Sequence, residues 1–204
     1  MLFRSAVIHV PDSPFSSVAG AVRQVGARVT EAGGTFTLES PASYPALARV
    51  PARLFPLVLP FAVAWRMWRR RDVDVAVFHS YTGWAFNVLN AWRARPLPTI
   101  TDFHGLEPIA YAALRAEKQR QGTDLSLRFR WTYGWLMPRL LRASCSRSTR
   151  VTCLNPAEGR YLVEHGWTTA ARVVVLPPGA PHPAFRAPGR VYAPVARRLL
   201  FISQ

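Results

Sequence analysis

Two histidines lie at the ends of predicted strands, and each is a candidate for chemistry near neutral pH. His79 closes the β-forming run from Asp72 to Ser80, and His104 follows a second run from Thr99 to Asp102. Because the carboxyl ends of parallel strands meet at one edge of an open sheet, where ligands bind, we expect the two imidazoles to lie close together there. An imidazole at such an edge can donate or accept a proton, or hydrogen-bond a ligand.

The residues around His104 form a predicted corner between a strand and a helix. Asp102 adds a carboxylate, Gly105 permits a tight turn, and Glu107 with Pro108 is a favourable helix start. A single histidine here would be explained equally well by a partly buried side chain that is hydrogen-bonded to its loop. Two histidines at corresponding strand ends favour a ligand site instead.

The elements that must position this corner begin with a strand, a helix and a strand. The short apolar run from Ala6 to Val10 predicts a central strand buried on both faces, and apolar residues at helical spacing predict a helix over 18–32. The run from Thr35 to Leu38 predicts the next strand. The loop from Pro11 to Gly20 would cross the ligand edge, where Gly20 allows close backbone approach and the helix N-terminus favours an anion.

The rest of the chain continues the alternation of strands and helices. Further helices are predicted over 54–71, 81–92, 109–144 and 156–166, and further strands over 150–154 and 172–176. The region 109–144 is expected to break near Gly122 and again at Pro138. This order of elements indicates an α/β fold, a doubly wound Rossmann-like parallel sheet with helices on both faces.

The composition is strongly basic and rich in arginine. The net charge is +15, and of 26 basic residues Lys118 is the single lysine. Such a charge attracts anionic surfaces and polymers, and the arginine fork suits phosphate, so lipid headgroups, nucleotide sugars and nucleic acid all remain candidate partners. A nucleic-acid-binding module is the less favoured alternative, because the arginines are scattered and no recognition-helix or RNP-like pattern occurs.

Two segments combine aromatic residues with arginines, Ala64 to Arg71 and Leu127 to Arg142. Each is explained either by a helix that packs on the sheet with a solvated basic end, or by a segment that lies at a membrane interface. No stretch reaches the roughly 20 apolar residues that span a bilayer, and no secretory signal is recognised. We expect a cytoplasmic protein that binds the inner face of the cell membrane peripherally, with insertion if Trp65 or Trp68 faces outward.

The cysteines and the metal-ligand residue types show no familiar spacing. Cys145 and Cys153 are too few for a disulfide framework and too far apart for a CxxC zinc site, so both are expected to be reduced thiols. No cluster of metal-ligating residues is visible in the sequence, and no metal is predicted.

Four motifs occur in a particular order. They are the strand end FHS over 78–80, the corner FHGLEP over 103–108, RVTCLNPAEGRYLVEHG over 150–166 and RVVVLPPGAPHPAF over 172–185. In this order they resemble the N-terminal half of a GT-B glycosyltransferase of the family 4 type. The resemblance covers nearly all of the chain after residue 70.

The resemblance implies transfer of a sugar from a nucleotide-sugar donor, a substrate rather than a cofactor, to an acceptor such as a lipid-linked sugar or a polysaccharide. It makes His104 the catalytic contact to the donor sugar, and Gly20 and Gly105 the residues that let the backbone approach the donor. His79, Ser80 and Glu107 are expected to be further residues of the cleft. Enzymes of this fold generally do not require a metal.

The residues and the resemblance together predict a division of the chain. We expect residues 1–5 to be a read-end artefact, 6–180 to form the acceptor-side domain, 181–197 to be a linker, and 198–204 to begin a truncated donor-binding domain. A fragment without that domain is expected to be inactive. The first loop, SSVAG over 16–20, keeps one glycine where the family has a pair. That departure motivates a second alternative, a non-catalytic partner of a glycosyltransferase.

Overall fold

The computed structural model describes residues 6–7, 27, 29–31, 33–34, 36–39, 43–51, 54–176 and 199–202. These residues form a seven-stranded sheet with the strand order β1-β2-β7-β3-β4-β5-β6, and every neighbouring pair is parallel. The strands are β1 (Ala6–Val7), β2 (Phe36–Glu39), β3 (Val75–His79), β4 (Thr99–Asp102), β5 (Arg150–Cys153), β6 (Val173–Val175) and β7 (Leu199–Ile202).

Six α-helices are described beside this sheet. They are α1 (Phe55–Arg69), α2 (Trp84–Asn90), α3 (Glu107–Arg120), α4 (Leu127–Trp131), α5 (Met137–Arg147) and α6 (Pro156–Glu164). Short 3-10 helices cover Pro45–Arg49, Ser80–Gly83 and Ala170–Arg172, and a π-helix over Thr132–Leu136 joins α4 to α5.

The burial of β3 shows that both faces of the sheet are covered. Its residues Val75 to Phe78 are all buried, although successive side chains of a strand point to opposite faces. A run of this kind is typical of a parallel strand that is enclosed by helices on both sides. The predicted doubly wound α/β fold is therefore confirmed.

The core consists of two clusters of buried apolar side chains. One joins Phe78 of β3 to Leu59 and Met67 of α1 and to Phe86 of α2. The other joins Phe103, just after β4, to side chains of α5, β5 and α6, among them Leu141, Cys145, Val151 and Leu162. Phe78 and Phe103 immediately precede His79 and His104, so the packing of these two rings fixes where both histidines lie.

Two strands lie elsewhere than the sequence predicted. The central position expected for the Ala6–Val10 run is wrong, because β1 spans Ala6–Val7 and pairs with β2 at one end of the strand order. The central place is filled by Leu199–Ile202, which pairs with both β2 and β3. This segment was expected to begin a truncated donor-binding domain, and in the structure it pairs on both sides within the described sheet. The predicted division of the chain into domains stays a prediction.

The predicted interruptions of the region 109–144 have different outcomes. The break near Gly122 is confirmed, since α3 ends at Arg120 and α4 begins at Leu127. At Pro138 the chain stays helical: this proline is the second residue of α5 and follows closely on the π-helix Thr132–Leu136, a local departure from the regular α-helical hydrogen-bond ladder. Residues 1–5, most of the predicted helix over 18–32, Gly20 and the predicted linker over 181–197 lie outside the described residues.

Candidate functional site

The candidate site is built on the carboxyl ends of three adjacent strands. His79 is the last residue of β3 and lies opposite Asp102, the last residue of β4, in the parallel register. Asp102 in turn lies opposite Thr152 of β5. The pairing of the strands therefore brings an imidazole, a carboxylate and a hydroxyl into one row across the edge of the sheet.

Asp102 is the centre of this row, and its two oxygens have different partners. Its Oδ1 accepts a short hydrogen bond from the hydroxyl of Thr152. Its Oδ2 lies 2.9 Å from Nε2 of His104 and 3.7 Å from Nδ1 of His79. Burial acts to raise the pKa of Asp102, but the facing imidazoles and the Thr152 hydroxyl outweigh it and hold that pKa well below its usual range. The carboxylate is therefore ionised at neutral pH.

The two imidazoles lie against each other, as the sequence predicted. The ring centroids of His79 and His104 are 4.7 Å apart, and the ring planes are inclined by 35°. Nδ1 of His79 and Nε2 of His104 are both buried, and within the described ranges neither makes a hydrogen bond of normal geometry. Buried polar atoms in this condition are uncommon in proteins, and they favour a site that is completed by a ligand.

A second pair of residues joins the end of β3 to the start of α3. The hydroxyl of Ser80 donates a short hydrogen bond to Oε1 of Glu107, which is the first residue of α3. Ser80 has a positive φ of 55°, which a non-glycine residue seldom adopts. Burial, and then the nearby Glu107 carboxylate, raise the pKa of the Tyr81 phenol, which stays protonated. Oε2 of Glu107 is buried and lacks a hydrogen-bond partner in the part of the chain that the structure describes.

The glycine of the corner is required by its backbone. Gly105 has a φ of +122°, in the region that favours glycine, and an added Cβ would contact nothing within 4 Å. The turn that releases the chain from β4 into α3 therefore depends on backbone freedom and leaves open space beside His104.

Five of the predicted site residues lie at this one edge of the sheet: His79, Ser80, His104, Gly105 and Glu107. The sixth, Gly20, lies outside the described residues. Their predicted roles stay predictions. Sequence reasoning missed Thr152, although a polar residue inside the apolar strand run of 150–154 was a usable signal.

The fold also assembles a group that no sequence spacing revealed. Single donor atoms of His79, Asp102 and His104 all lie within 4.8 Å of one another, close enough to hold a metal ion. The sequence analysis found no metal cluster because the three residues lie on two different strand ends, and the parallel pairing of β3 with β4 brings them together.

Fold and site together define the class of this protein. It has a doubly wound parallel sheet that carries polar groups at the edge where such sheets bind ligands. A family model described as Glycosyltransferase Family 4 matches residues 7–182. The chain belongs to this family, and its predicted resemblance to the N-terminal, GT-B-type domain is confirmed. No curated protein matches the chain.

Proposed function

We propose that the protein transfers a sugar from a nucleotide-sugar donor to an acceptor, and that His104 contacts the donor sugar. Family membership supports the reaction class. The observation that carries the assignment to this edge is the set of buried polar atoms without hydrogen-bond partners in the described chain, on His79, His104 and Glu107. A sugar ring carries hydroxyls that both donate and accept, so it can satisfy imidazole nitrogens and a carboxylate oxygen together.

The neighbours of His104 hold its imidazole in a defined orientation. Oδ2 of Asp102 lies 2.9 Å from Nε2 of His104, and a carboxylate at this distance orients an imidazole. Thr152 holds the carboxylate from the other side, which makes Thr152 a positioning residue. His104 would then hydrogen-bond a hydroxyl of the donor sugar and hold the ring for transfer, while Gly105 lets the backbone come close.

The test is replacement of His104 by Ala in the protein as its gene encodes it. Release of the nucleoside diphosphate is measured with a panel of nucleotide sugars, and the fold is checked by thermal unfolding. We expect turnover to fall by about 100-fold or more, the range of a positioned acid, base or orienting group. His165→Ala is the matched control, because His165 is exposed and bonds the Tyr161 carbonyl within its own helix end. Unchanged turnover in His104→Ala would remove His104 from the mechanism.

We also propose that the protein works on an anionic membrane surface, with the outer face of α1 against the lipid. Four apolar residues of α1 at spacings of three and four share that face and are exposed: Leu57 by 36%, Phe61 by 57%, Trp65 by 62% and Trp68 by 43%. The residues of the opposite face, such as Val63 and Met67, are fully buried against the sheet. The buried face therefore fits a helix that packs on the sheet, and the exposed face supports the proposed contact with lipid.

Arginines accompany the exposed aromatic rings. The Arg69 guanidinium lies 4.2 Å from the centroid of the Trp65 ring, and that of Arg93 lies 5.5 Å from the centroid of Trp68. In the second segment Arg139 lies 4.0 Å over Trp135, which is 45% exposed. Tryptophan beside arginine is suited to the boundary between anionic headgroups and acyl chains. Among the described helices, none is long and apolar enough to cross a membrane.

Co-sedimentation with vesicles tests this surface. We expect binding to vesicles that contain phosphatidylglycerol and little binding to pure phosphatidylcholine, with a loss of binding as salt is raised, since each arginine near the surface contributes about 1 kcal/mol. The double variant Trp65→Ser and Trp68→Ser should bind at least about tenfold more weakly, because it removes the two inserted rings.

The control is Val163→Ser, which changes an apolar residue of α6 that is exposed by 36% and lies outside both aromatic segments. Failure to bind either vesicle at low salt contradicts the membrane assignment. If the double variant instead changes the oligomeric state in solution and leaves vesicle binding intact, the face of α1 is an interface between two copies of the chain.

A further inference from the structure

The group of His79, Asp102 and His104 has a property that the transfer reaction does not use. Each residue offers one donor atom, and the three atoms lie within 4.8 Å of one another. We propose that they form a binding site for a divalent cation of the zinc type. Two imidazole nitrogens and one carboxylate oxygen are a donor set that such cations accept, and that Mg²⁺ and Ca²⁺ do not prefer.

The distances between the donor atoms agree with this assignment. Two ligand atoms that are each about 2.0–2.1 Å from one zinc ion, at angles of roughly 90–110°, are about 2.9–3.4 Å apart. Nε2 of His104 is 2.9 Å from Oδ2 of Asp102, and Nδ1 of His79 is 3.7 Å from the same oxygen. All three donor atoms lie within 4.8 Å of one another, so the ring of His79 must move toward the other two atoms before all three can bind one ion.

The same three atoms face one another at the edge of the sheet. Nδ1 of His79 and Nε2 of His104 have no hydrogen-bond partner of normal geometry among the described residues, although both are buried. The Thr152 hydroxyl binds Oδ1 of Asp102, the carboxylate oxygen that faces away from the histidines. A hydroxyl in this position acts as an outer partner that holds a ligating carboxylate in place while Oδ2 faces the two histidines.

The charge and the coordination number of a bound ion follow from its three protein ligands. One carboxylate and two neutral imidazoles leave a bound divalent ion with a net positive charge and with coordination positions that the described residues do not fill. The ion would also bind His104, the residue proposed above to contact the donor sugar. As a consequence that rests on the proposed function, Zn²⁺ and the nucleotide sugar should exclude each other from the site.

Binding of Zn²⁺ and of Co²⁺ to the purified protein tests the site without any enzymatic assay. Isothermal titration should give one Zn²⁺ per chain, and Co²⁺ should produce visible absorption bands of a low-coordinate site. His79→Ala and His104→Ala should each weaken binding by at least about 100-fold, and Thr152→Val by about 10- to 100-fold with the Co²⁺ spectrum retained. His165→Ala is the control and should change neither the affinity nor the spectrum.

Each outcome decides between the two proposals separately. Zn²⁺ binding that survives both His79→Ala and His104→Ala, or the absence of binding by folded protein, overturns the metal site. If Zn²⁺ binds as described but does not raise the apparent KM for the donor, the metal site stands and the contact of His104 with the donor is wrong. If His104→Ala abolishes turnover while Zn²⁺ does not bind, the reverse holds.

Discussion

Gly83 follows the site residues His79 and Ser80 closely along the chain, and its replacement by alanine should destabilise the protein by a predictable amount. It ends the 3-10 helix that follows His79 and is the N-cap of α2. A Cβ added there would lie 2.4 Å from Cγ, 2.5 Å from Cβ and 2.7 Å from Cδ2 of Phe78. The φ of Gly83 is −86°, which alanine adopts freely, so the whole effect comes from this overlap.

The size of the effect follows from how little Phe78 can move. Phe78 is fully buried, and its ring packs 5.4 Å from the centroid of Phe86. Overpacking of a core costs about 1–3 kcal/mol, and we expect the upper part of that range, about 2–3 kcal/mol, because the overlap involves both the ring and Cβ. For a chain of this size that corresponds to a fall of about 4–12 °C in Tm. His79 follows Phe78 directly, so the imidazole should be displaced as well.

Urea denaturation of Gly83→Ala measures this cost, and Gly134→Ala is the matched control. At Gly134 an added Cβ would also overlap a neighbour, at 2.8 Å from the Tyr111 hydroxyl. That atom is the far end of a half-buried side chain that can tilt away, and alanine is favoured over glycine in a helix by about 1 kcal/mol. The control should therefore stay within about 1 kcal/mol of the unsubstituted protein. Equal destabilisation by both substitutions would show that the mobility of the neighbour does not decide the cost.

Three further predictions concern packing, capping and pH. Leu141→Ala should lower the free energy of unfolding by about 2–5 kcal/mol, because Leu141 is fully buried. Leu127→Ala should change it by less than about 0.5 kcal/mol, because Leu127 is 80% exposed. Urea denaturation of both variants measures the two effects. Asn155→Ala should lower the free energy of unfolding by about 1 kcal/mol, because the Asn155 side chain caps α6 by accepting a hydrogen bond from the amide of Glu158 at 2.9 Å. An unchanged urea midpoint would show that this cap does not stabilise the protein. Asp102→Asn should make the free energy of unfolding depend less on pH in the acid range. The folded-state pKa of Asp102 is lowered, so its stabilisation is present above the ordinary carboxyl pKa of about 3.9 and is lost as the pH falls below it; denaturation at about pH 5 and about pH 3 should show a smaller fall for the variant, and equal falls contradict this.

Much of the local structure could be predicted from the residues themselves. The runs that became β3 and β4 are short, rich in β-formers and bounded by turn residues, and both end where predicted, at His79 and Asp102. The helix start at Glu107 and its following proline was likewise predicted by its local chemistry. These features depend on neighbours within a few positions along the chain, which a single sequence displays.

Other features depend on which strands pair, and no local pattern reports that. Ala6–Val7 and Leu199–Ile202 are both short apolar runs that suit a buried strand, yet the structure places the second one between β2 and β3. Thr152 enters the site for a similar reason, because the register of β5 against β4 sets it opposite Asp102. The pairing of β3 with β4 likewise brings together the three proposed donor atoms of the metal site.

The helix α1 separates what the sequence determined from what the tertiary structure decided. The sequence predicted an apolar helix with a basic end over 54–71, because the residue types are apolar on nearly every side and arginines follow, and the structure has this helix over Phe55–Arg69. For the same reason it could not say which face meets the sheet. Packing decided this: Val63 and Met67 fit against the strands, and Trp65 and Trp68 are left on the outside. The face that is buried depends on shape complementarity with a sheet whose strands come from distant parts of the chain. That complementarity exists only in the assembled fold.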